Sequence, residues 1–152
     1  MPSAAHACRL RRGRFSETGR VYSVTAMVKN RARPFNDFHL SRLLINEFRR
    51  TQTEGSVTSL AWVVMPDHFH WLIELRGRCL STVLQRTKSR SARAINTASG
   101  SKGPFWQHGF HERAIRRHED IVIVARYLVA NPLRAGLAKR LGDYPHWDAI
   151  WL

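Results

Sequence analysis

The stretch Val57-Thr-Ser-Leu-Ala-Trp-Val-Val-Met65, followed by Pro66-Asp67 and then His68-Phe-His-Trp-Leu-Ile-Glu-Leu75, decides the fold. Two apolar runs are joined by so short a turn that they read as an antiparallel hairpin, and Gly77 ends the second strand. Upstream, Val21 to Val28 (VYSVTAMV) is β-branched and lies between Gly19 and the Asn30 to Pro34 turn cluster, which predicts another strand. Between these strands Asn36 or Asp37 can cap a helix on which Leu40, Leu43, Leu44 and Phe48 recur at helical spacing, and the pattern ends before Gly55. Downstream, Leu80 to about Asn96 predicts a second helix, and Phe110 to Ile115 a fourth strand. A third helix is predicted from about Glu119 to Ala130, with the acids Glu119 and Asp120 at its positive end and Asn131-Pro132 closing it. The order β-α-β-β-α-β-α, without an internal repeat, predicts an α+β architecture in which helices back an antiparallel sheet.

The chain has 152 residues and 43% apolar content, enough for one domain with a real core and too little for two. Lys and Arg number 25 against 11 Asp and Glu, for a net charge of +14, and 21 of the 25 are Arg. That excess points to a polyanion rather than a small acidic metabolite, because neutralised phosphates release counterions and Arg grips phosphate bidentately. The basic opening Met1 to Arg14, which includes Arg12 and Arg14, predicts a flexible arm over residues 1–18 preceding a single domain over residues 19–152. No apolar stretch follows the arm as a signal peptide would require, and Leu60 to Met65 and Ile121 to Ala125 are too short to span a membrane. Cys8 and Cys79 stand alone, so a reducing cytoplasm is expected. Ala98 to Gly103 lacks the spacing of a phosphate-binding loop.

Chemistry concentrates in two places. His68 and His70 are two apart on a strand, so both imidazoles leave one face while Phe69, Trp71 and Ile73 face the other. One divalent metal can bridge such a pair, although a strand histidine is more often a satisfied polar residue. Tyr127 and Asn131 are four apart on the third helix and project from one side. Spacing alone favours a packed tyrosine and a capping asparagine over a functional pair. Glu74 is a rival third ligand on the histidine face, about 13 Å along the strand from His70. On the second helix Arg86, Arg90 and Arg93 line one face, either a solvated stripe or a track for phosphates. Tyr22 and Tyr144, the other tyrosines, have no polar partner at helical spacing.

Three segments together are specific: Trp62-Val-Val-Met-Pro-Asp-His-Phe-His70, Phe105-Trp-Gln-His-Gly-Phe-His-Glu-Arg-Ala-Ile-Arg116, and Arg126-Tyr-Leu-Val-Ala-Asn-Pro-Leu-Arg-Ala-Gly-Leu137. In order and spacing, from Gly19 to about Trp147, the chain resembles the REP-associated tyrosine transposases, single-tyrosine members of the HUH endonucleases. The resemblance implies a ferredoxin-like α+β sandwich. It implies His68 and His70 as metal ligands around the hydrophobe Phe69, Tyr127 as nucleophile, and Asn131 as the polar residue that completes the metal shell. Some relatives carry Gln at that last position, so Asn131 has the shorter reach. Arg126 and Arg134 flank the tyrosine as candidate phosphate contacts. Trp106 and Gln107 match a family motif without an assigned role, and His108 and His111 beside them stay unassigned.

The implied partner is single-stranded DNA carrying a hairpin, the implied cofactor Mg²⁺ or Mn²⁺, and the implied setting the nucleoid of a bacterial cytoplasm, with the chain acting as monomer or homodimer. The chemistry is coherent. A phenol with a pKa near 10 is a poor nucleophile at neutral pH, so a cation has to stabilise its anion or polarise the phosphate it attacks. Two neutral imidazoles and an amide leave a metal its full double charge. In-line attack by Tyr127 would leave a 5′-phosphotyrosine and a free 3′-hydroxyl. Two other classes fit charge and fold: a hairpin-binding module without catalysis, and a metal-dependent phosphodiesterase that uses water.

Overall fold

The structure is a computed structural model that describes residues 19–116 and 119–151. The predicted basic arm, with Arg12 and Arg14, lies outside the described residues. Five strands form one antiparallel sheet in the order β4-β1-β3-β2-β5: β1 (Val21–Met27), β2 (Val57–Met65), β3 (His68–Leu75), β4 (His111–Ala114) and β5 (Trp147–Ala149). Among the described residues four α-helices accompany it: α1 (Phe38–Thr53), α2 (Leu80–Ser99), α3 (Ile121–Val129) and the single turn α4 (Asn131–Arg134).

The hairpin forms as predicted, with Met65 paired to His68 and Val57 to Leu75, and a register shift between Ser59 and Ala61. Its second strand is the middle of the sheet, held by β2 on one side and β1 on the other. Alternation along β3 therefore feeds two cores. Phe69, Trp71 and Ile73 point to a first face, where α1 and α2 cover them with Leu44, Ile45, Phe48, Val83, Leu84 and Ile95. Phe48 sits in the middle of that layer, its ring centroid 4.5 Å from Trp71 and 5.1 Å from Phe69. Leu72 points to the second face and packs with Val63, Met65 and Ile115 under Ala125, Leu128 and Val129 of α3. Burial of aromatic and branched side chains on both sides is the dominant favourable term for such a two-layer arrangement. His68 and His70 belong to the second face, since they pair across the hairpin with Met65 and Val63 of that core.

Local signals set the helix ends. Asp37 caps α1, its Oδ1 accepting the Leu40 amide at 3.1 Å, and Gly100 ends α2 in the left-handed conformation at φ 71°. Three expectations need correction. The third helix begins at Ile121, with Asp120 as its cap accepting the Val122 amide at 2.9 Å. Asn131-Pro132 does not end helical structure there: a proline in a first turn lacks only a donor that has no helical partner anyway, so α4 starts where α3 stops. The cysteines do not both stand alone, because Cys79 at the cap of α2 is disulfide-bonded and its partner lies outside the described residues. No helix among the described residues is long and apolar enough to cross a membrane.

Candidate active site

The hairpin places His68 and His70 side by side on the second face, ring centroids 4.9 Å apart and ring planes nearly perpendicular. Each ring is fixed through Nδ1. His68 Nδ1 lies 2.6 Å from Asp67 Oδ1, and a carboxylate oxygen can only accept, so Nδ1 carries a proton. Arg31 donates from Nε to the other oxygen of Asp67 at 2.8 Å. Burial raises the Asp67 carboxyl, but the hydrogen bonds from His68 and Arg31 outweigh it and hold the group below its usual value. His70 Nδ1 lies 2.8 Å from Oγ1 of Thr25, its cross-strand partner on β1. Burial, then the neighbouring His68 and the Arg134 guanidinium, push His70 down to about 4, so its ring is neutral at physiological pH.

Tyr127 lies on the outer side of α3 and is 67% exposed. Its ring carries the Arg134 guanidinium, whose central carbon is 3.8 Å from the ring centroid. The same guanidinium also acts on His70. Asn131 opens α4 and donates from Nδ2 to the Leu128 carbonyl at 2.9 Å, which orients the amide. Imidazole nitrogens and an amide oxygen are donor types a divalent cation accepts, and held Nδ1 atoms are the outer contacts metal-binding imidazoles use.

The alternatives weaken. Glu74 is taken by Arg76 at 2.7 Å, and no three His, Cys, Asp or Glu side chains converge among the described residues. Tyr22 is buried in the first core. The Tyr144 hydroxyl donates to the Val64 carbonyl at 2.5 Å, and burial pushes it up to about 12. The arginines of α2 belong to the other layer: Arg90 pairs with Glu54 at 2.6 Å and the charge of Arg86 acts on the same carboxylate, while Arg93 is exposed. Arg126 is exposed on α3. Three residues of the site were not singled out from sequence. Asp67 stands next to His68 and was readable in principle, whereas Thr25 and Arg31 are joined to the histidines only by the fold.

The profile of the family described as "Transposase IS200 like" matches residues 18–131. The chain belongs to the IS200-like transposase family. An Escherichia coli K12 REP-associated tyrosine transposase is 32% identical over 87 residues, covering 56% of this chain and half of that protein. A Haemophilus influenzae protein provisionally given the same name is 26% identical over 144 residues, covering 84% of this chain and 78% of its own. The solved structure of a REP-associated tyrosine transposase bound to a REP hairpin superposes with a TM-score of 0.73 at 25% identity, covering 88% of this chain and 79% of that one. The resemblance read from the three sequence segments is thus borne out, as is the α+β fold with its antiparallel sheet.

Proposed function

We propose that this IS200-like transposase is a metal-dependent single-strand DNA endonuclease that cuts and rejoins strands beside REP-like hairpins through a 5′-phosphotyrosine. The observation that supports the reading is the shared guanidinium: Arg134 lies on the ring of Tyr127, and its charge also acts on His70. The hairpin bound by the structural relative supports the choice of DNA, and the net charge of +14 suits it.

Bound by His68, His70 and Asn131, Mg²⁺ or Mn²⁺ would supply Lewis-acid polarisation of the scissile phosphate. The rest falls to the chain. Asp67 and Thr25 keep both imidazoles turned with Nε2 outward. Tyr127, exposed on its helix, is open to an incoming strand, and Arg134 holds the ring and offers its free N–H groups to phosphate oxygens. Attack by the phenolic oxygen forms the O–P bond, breaks the bond to the 3′ oxygen, and returns the phenolic proton to the departing 3′-hydroxyl by way of solvent. Because the phosphodiester energy stays in the new bond, the hydroxyl of another strand can reverse the step and join ends.

The test uses 5′- and 3′-labelled single-stranded hairpin oligonucleotides with Mg²⁺, Mn²⁺ or EDTA on denaturing gels. A metal-dependent, heat-stable adduct on the fragment bearing the 5′ phosphate, lost in Tyr127→Phe, is expected. Cutting without an adduct, equal in the variant, would make water the nucleophile, and binding without cutting would leave a hairpin-binding module.

A further inference from the structure

Beside the histidines the second face continues across two more strands. Register places His111 of β4 opposite Thr25 of β1, and Thr25 opposite His70 of β3, so the three side chains form one row. In the next row Met27 stands opposite His68. At the usual strand spacing, His111 is about 10 Å from His70. Thr25, Met27, Gln107, Phe110 and His111 line an open cleft of about 180 Å³, with His108 and Gly109 at its rim.

The loop above this cleft is pinned from below. The Gln107 amide donates to the Met27 carbonyl at 2.8 Å, and the Trp106 indole donates to Ser91 at 3.0 Å in the first core. Lys88 of α2, whose ammonium is pushed down by burial, donates to the Gln107 carbonyl at 2.9 Å and to the Gly109 carbonyl at 2.6 Å. Gly109 at φ 78° allows the turn between them. Yet the side chains of Gln107, His108 and His111, all exposed, make no hydrogen bond or ion pair among the described residues. A loop held this firmly presents an amide and two imidazoles that the fold itself does not use.

We infer that this cleft takes one unpaired nucleobase of the DNA strand next to the scissile phosphate, and that Gln107 and His111 read its edge. The inference rests on the proposed function, since the histidine pair marks where the phosphate lies. Met27 supplies apolar surface for a base face. An amide is both donor and acceptor, as a base edge is, and no acidic side chain lines the cleft to repel the backbone. Gln107 and His111 are specificity residues here and take no part in bond breaking.

The test equilibrates hairpin oligonucleotides carrying a randomised single-stranded flank with the protein in EDTA, and sequences the retained fraction. The expected result is a preference of about tenfold for one base at one flanking position, the size of a good base-edge pair. It falls below about twofold in Gln107→Ala and His111→Ala while retention of the hairpin stem persists. Gln107→Glu, which can only accept, moves the preference toward cytosine rather than erasing it. An unchanged preference in all three variants, or none in the wild type, overturns the inference and leaves the proposed function standing. Failure of every protein to retain any hairpin overturns both.

Discussion

Asp67 is the residue whose replacement tests the site most directly. Its Oδ1 takes the His68 N–H at 2.6 Å and its Oδ2 takes the Arg31 N–H at 2.8 Å. Asp67→Asn keeps the shape but presents one acceptor oxygen to two donors, so one bond is lost. If the oxygen stays with His68, the lost partner is Arg31, whose side chain is 60% exposed, and the cost is about 1 kcal/mol or less. For a chain of this size that lowers Tm by about 2–4 °C. Asp67→Ala removes both acceptors, and the His68 ring loses the contact that turns Nε2 outward. Losing such an outer contact costs about 10- to 100-fold in metal affinity, about 1.4–2.7 kcal/mol. Mn²⁺ titration followed by electron paramagnetic resonance, beside thermal melts of each variant, reads both effects. The expected order of affinity is wild type, then Asp67→Asn, then Asp67→Ala. Mn²⁺ binding by a folded Asp67→Ala variant within about twofold of wild type would refute the claim that Asp67 orients a metal ligand.

Three other outcomes follow from the same structure. His70 is held at about 4 against an ordinary value near 6.5, so between those pH values the unfolded chain binds a proton that the native chain does not. Stability therefore falls as pH drops through this window, by about 2 kcal/mol at pH 4.5, and denaturant midpoints at pH 7 and 4.5 should show His70→Gln losing less than wild type. Phe69 is 0% exposed in the first core, so Phe69→Ala should cost about 3–5 kcal/mol in urea unfolding, while exposed Tyr127→Phe leaves the midpoint unchanged. Arg90 is already paired with Glu54, so Arg90→Ala should barely alter the salt dependence of hairpin binding, whereas Arg134→Ala should reduce its slope by about one phosphate contact.

The hairpin was legible because it satisfies two rules at once, apolar runs of strand length and a proline turn, and its ends fall where those rules put them. The capped, periodic α1 and α2 were legible for similar reasons. β5 was not: it has three residues in a polar, aromatic segment, and it exists because β2 has an edge to be covered. The restart at Asn131 was obscured because proline signals both a stop and a first turn. In the site, His68 and His70 drew attention by spacing within one strand, whereas Tyr127 and Asn131, read as one helical face, are divided at Ala130 between α3 and α4. Thr25 is 45 positions from His70 and Arg31 is 36 from Asp67, and only the strand register and a loop conformation bring each pair together. The stripe of α2 shows the converse, a pattern visible in sequence whose central arginine turns out to be spoken for by Glu54.

The mounting of the two halves of the site also sets their rhythms. β3 lies in the middle of the sheet, hydrogen-bonded along both edges and buried on both faces, so its amides should be among the slowest to exchange with solvent. α3 is held to the sheet by Ala125, Leu128 and Val129 on one side only, and it hands over to a separate turn at Ala130. Brief openings of the chain should therefore loosen the tyrosine's helix long before they disturb the strand that carries the histidines. In the proposed reaction, where the tyrosine would stay joined to one DNA end until another arrives, that division would let the fastened end sway while the histidine pair keeps its shape.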